Sequence, residues 1–223
     1  MKRIVQAGFI AGLLGGGAHA AVDPLKPAPT PESKAVDASG PSQLIETSAN
    51  TLLKGIDARR TEFRKDPTGL YELVANTLLP HFDTPYAAQL VLGKHWRDAT
   101  TEQRKRFVEA FYNSLLYQYG DAMVDFTADR MRVLPTKVDA TTDRASVRTE
   151  IKRSNGTKVQ VNYSVRKING EWKAWDVIID GISYVKSYRE DYGAEVDQKG
   201  LDAVIQRLEA KANSVKAAKV KST

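Results

Sequence analysis

No cysteine occurs anywhere in the 223 residues, which excludes disulfides and leaves the stability of the fold to packing alone. Long apolar runs are missing too. Beyond the first twenty residues every such run is broken by charge within a few positions, short of the roughly 20 residues a membrane-spanning helix needs. The compact signatures of catalysis are likewise absent: there is no HExxH, no histidine pair at metal-ligand spacing, no Gly-rich phosphate loop and no nucleophile elbow. Nor is there a large excess of one charge. The formal net charge of +6 becomes +4 without Lys2 and Arg3. That balance is unlike a nucleic-acid binder and suits work near anionic lipid surfaces, where each nearby Lys or Arg contributes about 1 kcal/mol.

What is present is ordered along the chain. Met1-Lys2-Arg3 is a positive start, Ile4 to Gly17 an apolar stretch and Ala18-His19-Ala20 a small-x-small cleavage site, so residues 1–20 read as a secretory signal peptide. Residues 21–41 carry Pro24, Pro27, Pro29, Pro31 and Pro41 with few large apolar side chains, the composition of a disordered Pro-rich leader. Residues 211–223 place Lys216, Lys219 and Lys221 among small residues and read as a basic flexible tail. The folded domain is expected over 42–210.

Its first half has helical periodicity. Leu44, Ile45, Ala49, Leu52, Leu53, Ile56 and Phe63 form one apolar stripe of a helix from about Ser42 to about Lys65. Asp66-Pro67 supplies a cap and a first-turn proline for a second helix bearing Leu70, Leu73, Val74, Thr77 and Leu78. Asp83-Thr84-Pro85 repeats the device for a short helix ending near Gly93. A longer helix follows Thr100-Thr101, with Phe107, Phe111, Leu115 and Leu116 inward.

Period two then replaces period 3.6. Val147, Thr149 and Ile151 alternate with charged residues; after a Ser154-Asn155-Gly156 turn, Val159, Val161, Tyr163 and Val165 alternate with polar ones. Asn169-Gly170 turns the chain into a third strand, Trp172 to Asp180, and a weaker strand is expected near 129–138. In the third strand Trp172, Ala174 and Ile178 fall on one face and Trp175, Val177 and Ile179 on the other, so both faces read as partly buried. Helices, a strand meander and closing helices indicate an α+β fold: a curved antiparallel sheet of about four strands covered on one face by several helices. A central strand buried by ordinary packing is the commoner source of that pattern and a strand lining an apolar cavity the functional one, and periodicity alone does not separate them.

The side chains able to do acid–base or metal work are His81, Asp83, His95, Asp176 and Asp180. A desolvated Asp/His pair in a cone-shaped pocket could support proton abstraction, which makes an NTF2-like enzyme the alternative to a binding protein.

Three stretches carry a resemblance: His81-Phe82-Asp83, Leu90-Val91-Leu92-Gly93-Lys94-His95-Trp96, and Thr100 through Phe111. Asn162-Tyr163, Gly170 through Ser183 and Ser187-Tyr188-Arg189 extend it, in order, over roughly 42–210. Together they resemble the MlaC family, also known as the toluene-tolerance auxiliary family. The resemblance implies a periplasmic phospholipid carrier of NTF2-like fold, with lipid as cargo, no cofactor, no metal and no catalytic residues. The implied partners are an inner-membrane ABC transporter complex with an MCE-domain ring and an outer-membrane lipoprotein–porin complex, with the chain itself a monomer and outer-membrane lipid asymmetry as the purpose. The wall of the implied lipid pocket is expected to draw on Val147, Ile151, Val159, Val161, Tyr163, Trp175, Val177 and Ile179 from the sheet. Leu73, Leu78, Leu90, Phe107, Phe111 and Leu115 are the helical candidates.

Overall fold

The computed structural model describes residues 39–127, 130–136, 141–152 and 155–220. The expected signal peptide, and the leader up to residue 38, lie outside the described residues. The chain divides into residues 1–32 and 33–223, and every described residue belongs to the second unit.

Helix α1, Pro41–Lys65, starts on a proline whose fixed φ suits a first turn. It buries Leu44, Ile45, Leu52, Leu53, Ile56 and Phe63, the stripe expected from spacing, while Ala49 is only half-buried. Gly55 allows a close approach of the next helix: a Cβ there would lie 2.8 Å from the end of the Leu73 side chain, which would have to shift. The Asp66 carboxylate accepts from the Thr68 backbone N–H at 2.9 Å and opens α2, Thr68–Leu78. Pro67 stands just before that helix rather than in its first turn, since its ψ of 1° is not helical. A single 3-10 turn, Leu79–His81, leads to Asp83, which caps α3 (Thr84–Leu92) by accepting from Tyr86 N–H at 3.2 Å. One turn, α4 (His95–Asp98), precedes α5 (Thr101–Tyr119). Thr100 and Gln103 close a reciprocal capping box on α5, which satisfies two N–H groups that would otherwise lack partners.

The sheet has five antiparallel strands in sequential order: β1 Met131–Val133, β2 Arg144–Lys152, β3 Lys158–Ile168, β4 Glu171–Ile179 and β5 Ile182–Ser183. About four were expected, and the fifth is a two-residue edge formed where the chain reverses through Asp180-Gly181. The weak strand near 129–138 is real over three residues; 129 and 137–138 lie outside the described residues. After β5, the Ser183 hydroxyl caps α6 (Tyr184–Lys199) by accepting from Lys186 N–H at 3.0 Å. Gly200, at φ +83°, breaks the helix and lets α7 (Leu201–Val220) turn back.

Three apolar clusters hold these elements. Leu44 and Ile45 of α1 pack on Val147, Val165, Trp172 and Ala174 of the sheet. Leu52, Ile56 and Phe63 of α1 meet Leu70, Tyr71 and Val74 of α2 and Leu116 of α5. The third joins α3, α5, α6 and α7 around Phe107 and Phe111, with Tyr192, Val204, Ile205 and Leu208. Ion pairs fasten its rim, Arg106 to Glu209 at 2.8 Å and Arg207 to Glu195 at 2.6 Å.

The expected flexible tail from Lys211 differs from this arrangement. Helix α7 runs on to Val220, Ala212 is buried, and Lys211 donates to the Gln118 side chain at 2.8 Å. The small residues that suggested looseness are good helix formers, and one of them packs. Phe107 is fully buried at the centre of the four-helix cluster. Phe107→Ala is therefore expected to lower unfolding free energy by about 3–5 kcal/mol, measured by urea denaturation.

Candidate functional site

Cross-strand register assigns every sheet residue to a face. Pairing of Val147 with Tyr163, Thr149 with Val161 and Ile151 with Val159 puts these six on one face, and pairing of Met131 with Ile151 and Val133 with Thr149 adds β1. On β4, Val161 faces Ile179 and Tyr163 faces Val177, but Val165 faces Ala174. Two residues, Trp175 and Asp176, thus stand opposite the single Ser164, which is a β-bulge.

The bulge corrects the reading of β4. Trp172, Ala174, Val177 and Ile179 all share the inner face, and Trp175 points outward with Asp176 and Ile178. Trp175 is therefore not beside Val177 and Ile179. Its ring instead meets Tyr86 of α3 edge-on at 5.5 Å. Strict alternation reads both faces as half-buried because one inserted residue shifts the phase in mid-strand.

The inner face carries no charge from Ala145 to Ile151, from Val159 to Val165, or from Trp172 to Ile179. One end of it, around Val147 and Val165, is filled by α1. Towards the other end Val159 and Val161 are buried, while Ile151, Val177 and Ile179 are half-buried although apolar; Tyr163 packs against the α1 cluster. Polar groups on this face are neutral and satisfied. The Thr149 hydroxyl donates to the Val161 carbonyl at 2.8 Å, and burial pushes the Tyr163 phenol above its ordinary value, outweighing the hydrogen bond with Thr149.

The acid–base candidates have structural partners. Asp83, buried, caps α3, donates its backbone N–H to the Ala174 carbonyl at 2.7 Å and pairs with Arg166 at 2.5 Å. Asp176, also buried, accepts from the Val185 N–H at 3.0 Å and the Ser183 hydroxyl at 2.6 Å, tying β4 to the start of α6. Asp180 accepts from Gln160 N–H at 3.4 Å. His95 approaches exposed Asp197 at 3.5 Å. Neither buried carboxylate has a histidine among these partners, and no group of three potential metal ligands occurs among the described residues.

Two clefts lie among the helices. One, of about 440 Å³, runs between α2 and α5 over Tyr71, Leu79, Val108, Tyr112, Leu116 and Tyr117. The buried Tyr112 hydroxyl has no hydrogen-bond partner, and desolvation pushes its pKa up to about 12. A smaller one, of about 210 Å³, is bordered by Gly93, Lys94, His95 and Arg189.

The fourteen expected wall residues thus fall into separate groups. Val147, Ile151, Val159, Val161, Tyr163, Val177 and Ile179 share the inner sheet face. Phe107, Phe111 and Leu115 belong to the four-helix cluster, Leu73 and Leu78 border the α1–α2–α5 cluster, Leu90 is half-buried on α3, and Trp175 lies on the outer face. Sequence reasoning missed the tyrosines of the larger cleft and a row on α5 and α6, where Tyr119 and Tyr188 share a hydrogen bond at 3.0 Å and Tyr188 stacks on Tyr192 at 5.5 Å. The i, i+4 spacing of Tyr184, Tyr188 and Tyr192 is the signal that reveals the row.

A family model described as MlaC protein matches residues 46–210. The toluene tolerance protein ttg2D of Pseudomonas putida is 30% identical over 168 residues, covering 75% of this chain and 78% of the relative. The intermembrane phospholipid transport system binding protein MlaC of Haemophilus influenzae is 25% identical over 182 residues, covering 80% and 85%. Among solved structures, a phospholipid-binding protein from Ralstonia solanacearum in complex with a phospholipid has a TM-score of 0.71 at 21% identity, covering 77% of this chain and 96% of that one. That likeness is one of fold.

Two predictions follow from the polar groups. Asp83→Asn keeps a capping side chain and removes the charge opposite Arg166, whereas Asp83→Ala removes both, so the alanine variant is expected to be less stable by about a further 1 kcal/mol in urea denaturation. His81 is half-buried, and desolvation, followed by the Lys173 charge, holds its imidazole below the ordinary 6.5. The folded state then binds this proton less readily than the unfolded chain, so the contribution is full above about pH 6.5 and is lost as pH falls through the folded value. His81→Gln is expected to flatten the pH dependence of unfolding free energy in that window.

Proposed function

The chain belongs to the MlaC family, and from that premise we propose that it is a periplasmic phospholipid carrier acting by binding rather than by catalysis. The observation that carries the reading is the inner sheet face, uncharged from Ala145 to Ile151, from Val159 to Val165 and from Trp172 to Ile179, and only part-covered at Ile151, Val177 and Ile179, beyond the cluster that α1 makes with Val147, Val165, Trp172 and Ala174. Apolar side chains facing inward without full cover are what acyl chains would pack against. Exposing two chains of about sixteen carbons to water costs on the order of 25 kcal/mol at about 0.8 kcal/mol per CH₂, so a carrier must shield them while the headgroup stays wet. Val159 and Val161 complete the floor of this wall, while Val147 is taken up by α1. The helical candidates Phe107, Phe111 and Leu115 pack the body that supports it.

Support for phospholipid as the cargo comes from the Haemophilus influenzae relative, whose name is that of a phospholipid transport binding protein, and from the phospholipid held by the Ralstonia solanacearum protein of the same fold. Export to the periplasm rests on the signal pattern of residues 1–20. Shuttling between an outer-membrane lipoprotein–porin complex and an inner-membrane MCE-domain ABC transporter, to maintain outer-membrane lipid asymmetry, is the role this reading assigns. The buried carboxylates Asp83 and Asp176, committed to helix caps and to Arg166, leave the enzyme reading without its acid–base pair.

Native mass spectrometry of the purified chain is expected to show phospholipid mass released on activation. Val177→Trp, which fills space on the inner face, is expected to lower that occupancy several-fold with an unchanged circular dichroism spectrum. A wild-type chain that releases no phospholipid, by mass spectrometry and by organic extraction, would sink the carrier reading.

A further inference from the structure

On β1 to β3 the outer face of the same sheet is rich in cations, whereas β4 adds Glu171, Lys173 and Asp176 to it. Register puts Arg132 of β1, Arg144, Arg148 and Lys152 of β2, and Lys158 and Arg166 of β3 on this face. Between them the outward positions of β2 and β3 are Ser146, Glu150, Gln160, Asn162 and Ser164, with a single carboxylate, and Ile168 follows Arg166 at the end of β3. Glu150 pairs with Lys158 at 2.7 Å, and Asp83, reaching in from α3, pairs with Arg166. Among the described residues Arg132, Arg144, Arg148 and Lys152 are exposed and have no carboxylate partner: Arg144 reaches the Tyr86 hydroxyl at 3.3 Å and Arg148 the Pro135 carbonyl at 3.2 Å, neither of which neutralises it.

The arrangement works against stability. Arg144 stands directly opposite Arg166, and Lys152 directly opposite Lys158. Like charges in directly opposed positions destabilise a sheet, and a face that needed only to be solvated would mix its signs. Here the cations extend along the eight steps from Arg144 to Lys152, about 27 Å at roughly 3.4 Å per residue, across three adjacent strands.

We propose that this face docks on the surface of an anionic phospholipid bilayer. An acidic protein is the competing occupant, but specific protein interfaces depend on apolar or aromatic anchors at their centre. The β2–β3 outer face has none at its centre, its apolar Ile168 lying at the end of β3. An anionic bilayer needs no anchor, because it offers a continuous layer of phosphates and attracts each nearby cation independently. Docking through the β1–β3 part of the outer face would also leave the inner face and α1 clear of the surface. The inference goes beyond the carrier reading and rests on the charge of the sheet alone, so a chain that holds no lipid could still dock.

The test is co-sedimentation of the full chain with phosphatidylcholine vesicles, with and without a substantial fraction of phosphatidylglycerol, at low and high salt. Binding is expected only with phosphatidylglycerol and is expected to fall at high salt. The triple variant Arg132→Gln, Arg148→Gln, Lys152→Gln is expected to lower the partition coefficient on the order of 100-fold, at about 1 kcal/mol, or roughly fivefold, per cation removed. A control triple on the helices, Lys54→Gln, Lys65→Gln, Lys105→Gln, makes the same change in net charge and should leave most of the binding. Circular dichroism confirms that each variant is folded. The proposal is overturned by failure to bind phosphatidylglycerol vesicles or by equal loss in the two triples. It is also overturned if the face triple loses retention on immobilised polyglutamate while vesicle binding is unchanged, which would assign the face to an acidic protein. Native mass spectrometry of the face triple reads lipid cargo separately, so failure of docking and failure of the carrier reading are distinguishable.

Discussion

One inserted residue in β4 organises much of this structure. Because Trp175 and Asp176 stand together opposite Ser164, the strand changes phase in its middle, and Ala174 and Val177 come to share a face although three positions apart. Without the bulge, either the Trp172–Ala174 half or the Val177–Ile179 half would turn its apolar side chains away from α1 and the inner face. With it, both halves present apolar side chains inward. The two residues turned outward are the ones that recruit helices: Trp175 meets Tyr86 of α3, and the Asp176 carboxylate binds the first turn of α6. Bulges bend a strand and strengthen its twist, so the same insertion favours the curvature that an enclosing sheet requires.

The consequences divide by face. The inner face is apolar and uncharged as far as Val165, with Lys167 beyond it, closed at one end by Leu44 and Ile45 of α1 and part-covered at the other. The outer face is polar and cationic on β1 to β3, and gains its helix contacts at β4, through the Asp83–Arg166 pair and through Tyr86 of α3 beside Arg144 and Arg166. Behind the edge of β4, the cluster around Phe107 and Phe111 forms a separate four-helix core. This core supplies rigidity without contributing to the sheet face. A buried carboxylate is costly unless it is paired or hydrogen-bonded, and Asp83 and Asp176 meet that requirement by fastening helices to the sheet.

Much of this was legible in the sequence because periodicity and caps are local. The stripe from Leu44 to Phe63, the Asp83 and Thr100 caps and the alternation from Val147 to Val165 each depend on neighbours within a few positions, and each is present in the structure. The bulge was not legible. An extra residue in a strand looks the same as a strand buried on both faces, and only the partner strand tells them apart. The helical residues grouped with the sheet wall failed to join it for a related reason: an apolar face states that a residue is buried, not against what. Phe107 and Phe111 pack against α6 and α7, whose own stripes are weaker and further along the chain. The helix beyond Lys211 was read as loose because its composition was judged without the partners, Gln118 among them, that hold it.

The claim on which the functional account turns is that acyl chains lie on the inner sheet face. A phospholipid carrying a photoreactive diazirine in its acyl chain, loaded into the purified protein and irradiated, reports that location directly through peptide mass spectrometry. The account predicts adducts on the β3 and β4 segments containing Val159 to Tyr163 and Val177 to Ile179. Adducts confined to the helical cluster around Phe107 and Phe111, or to the cleft between α2 and α5, would contradict it.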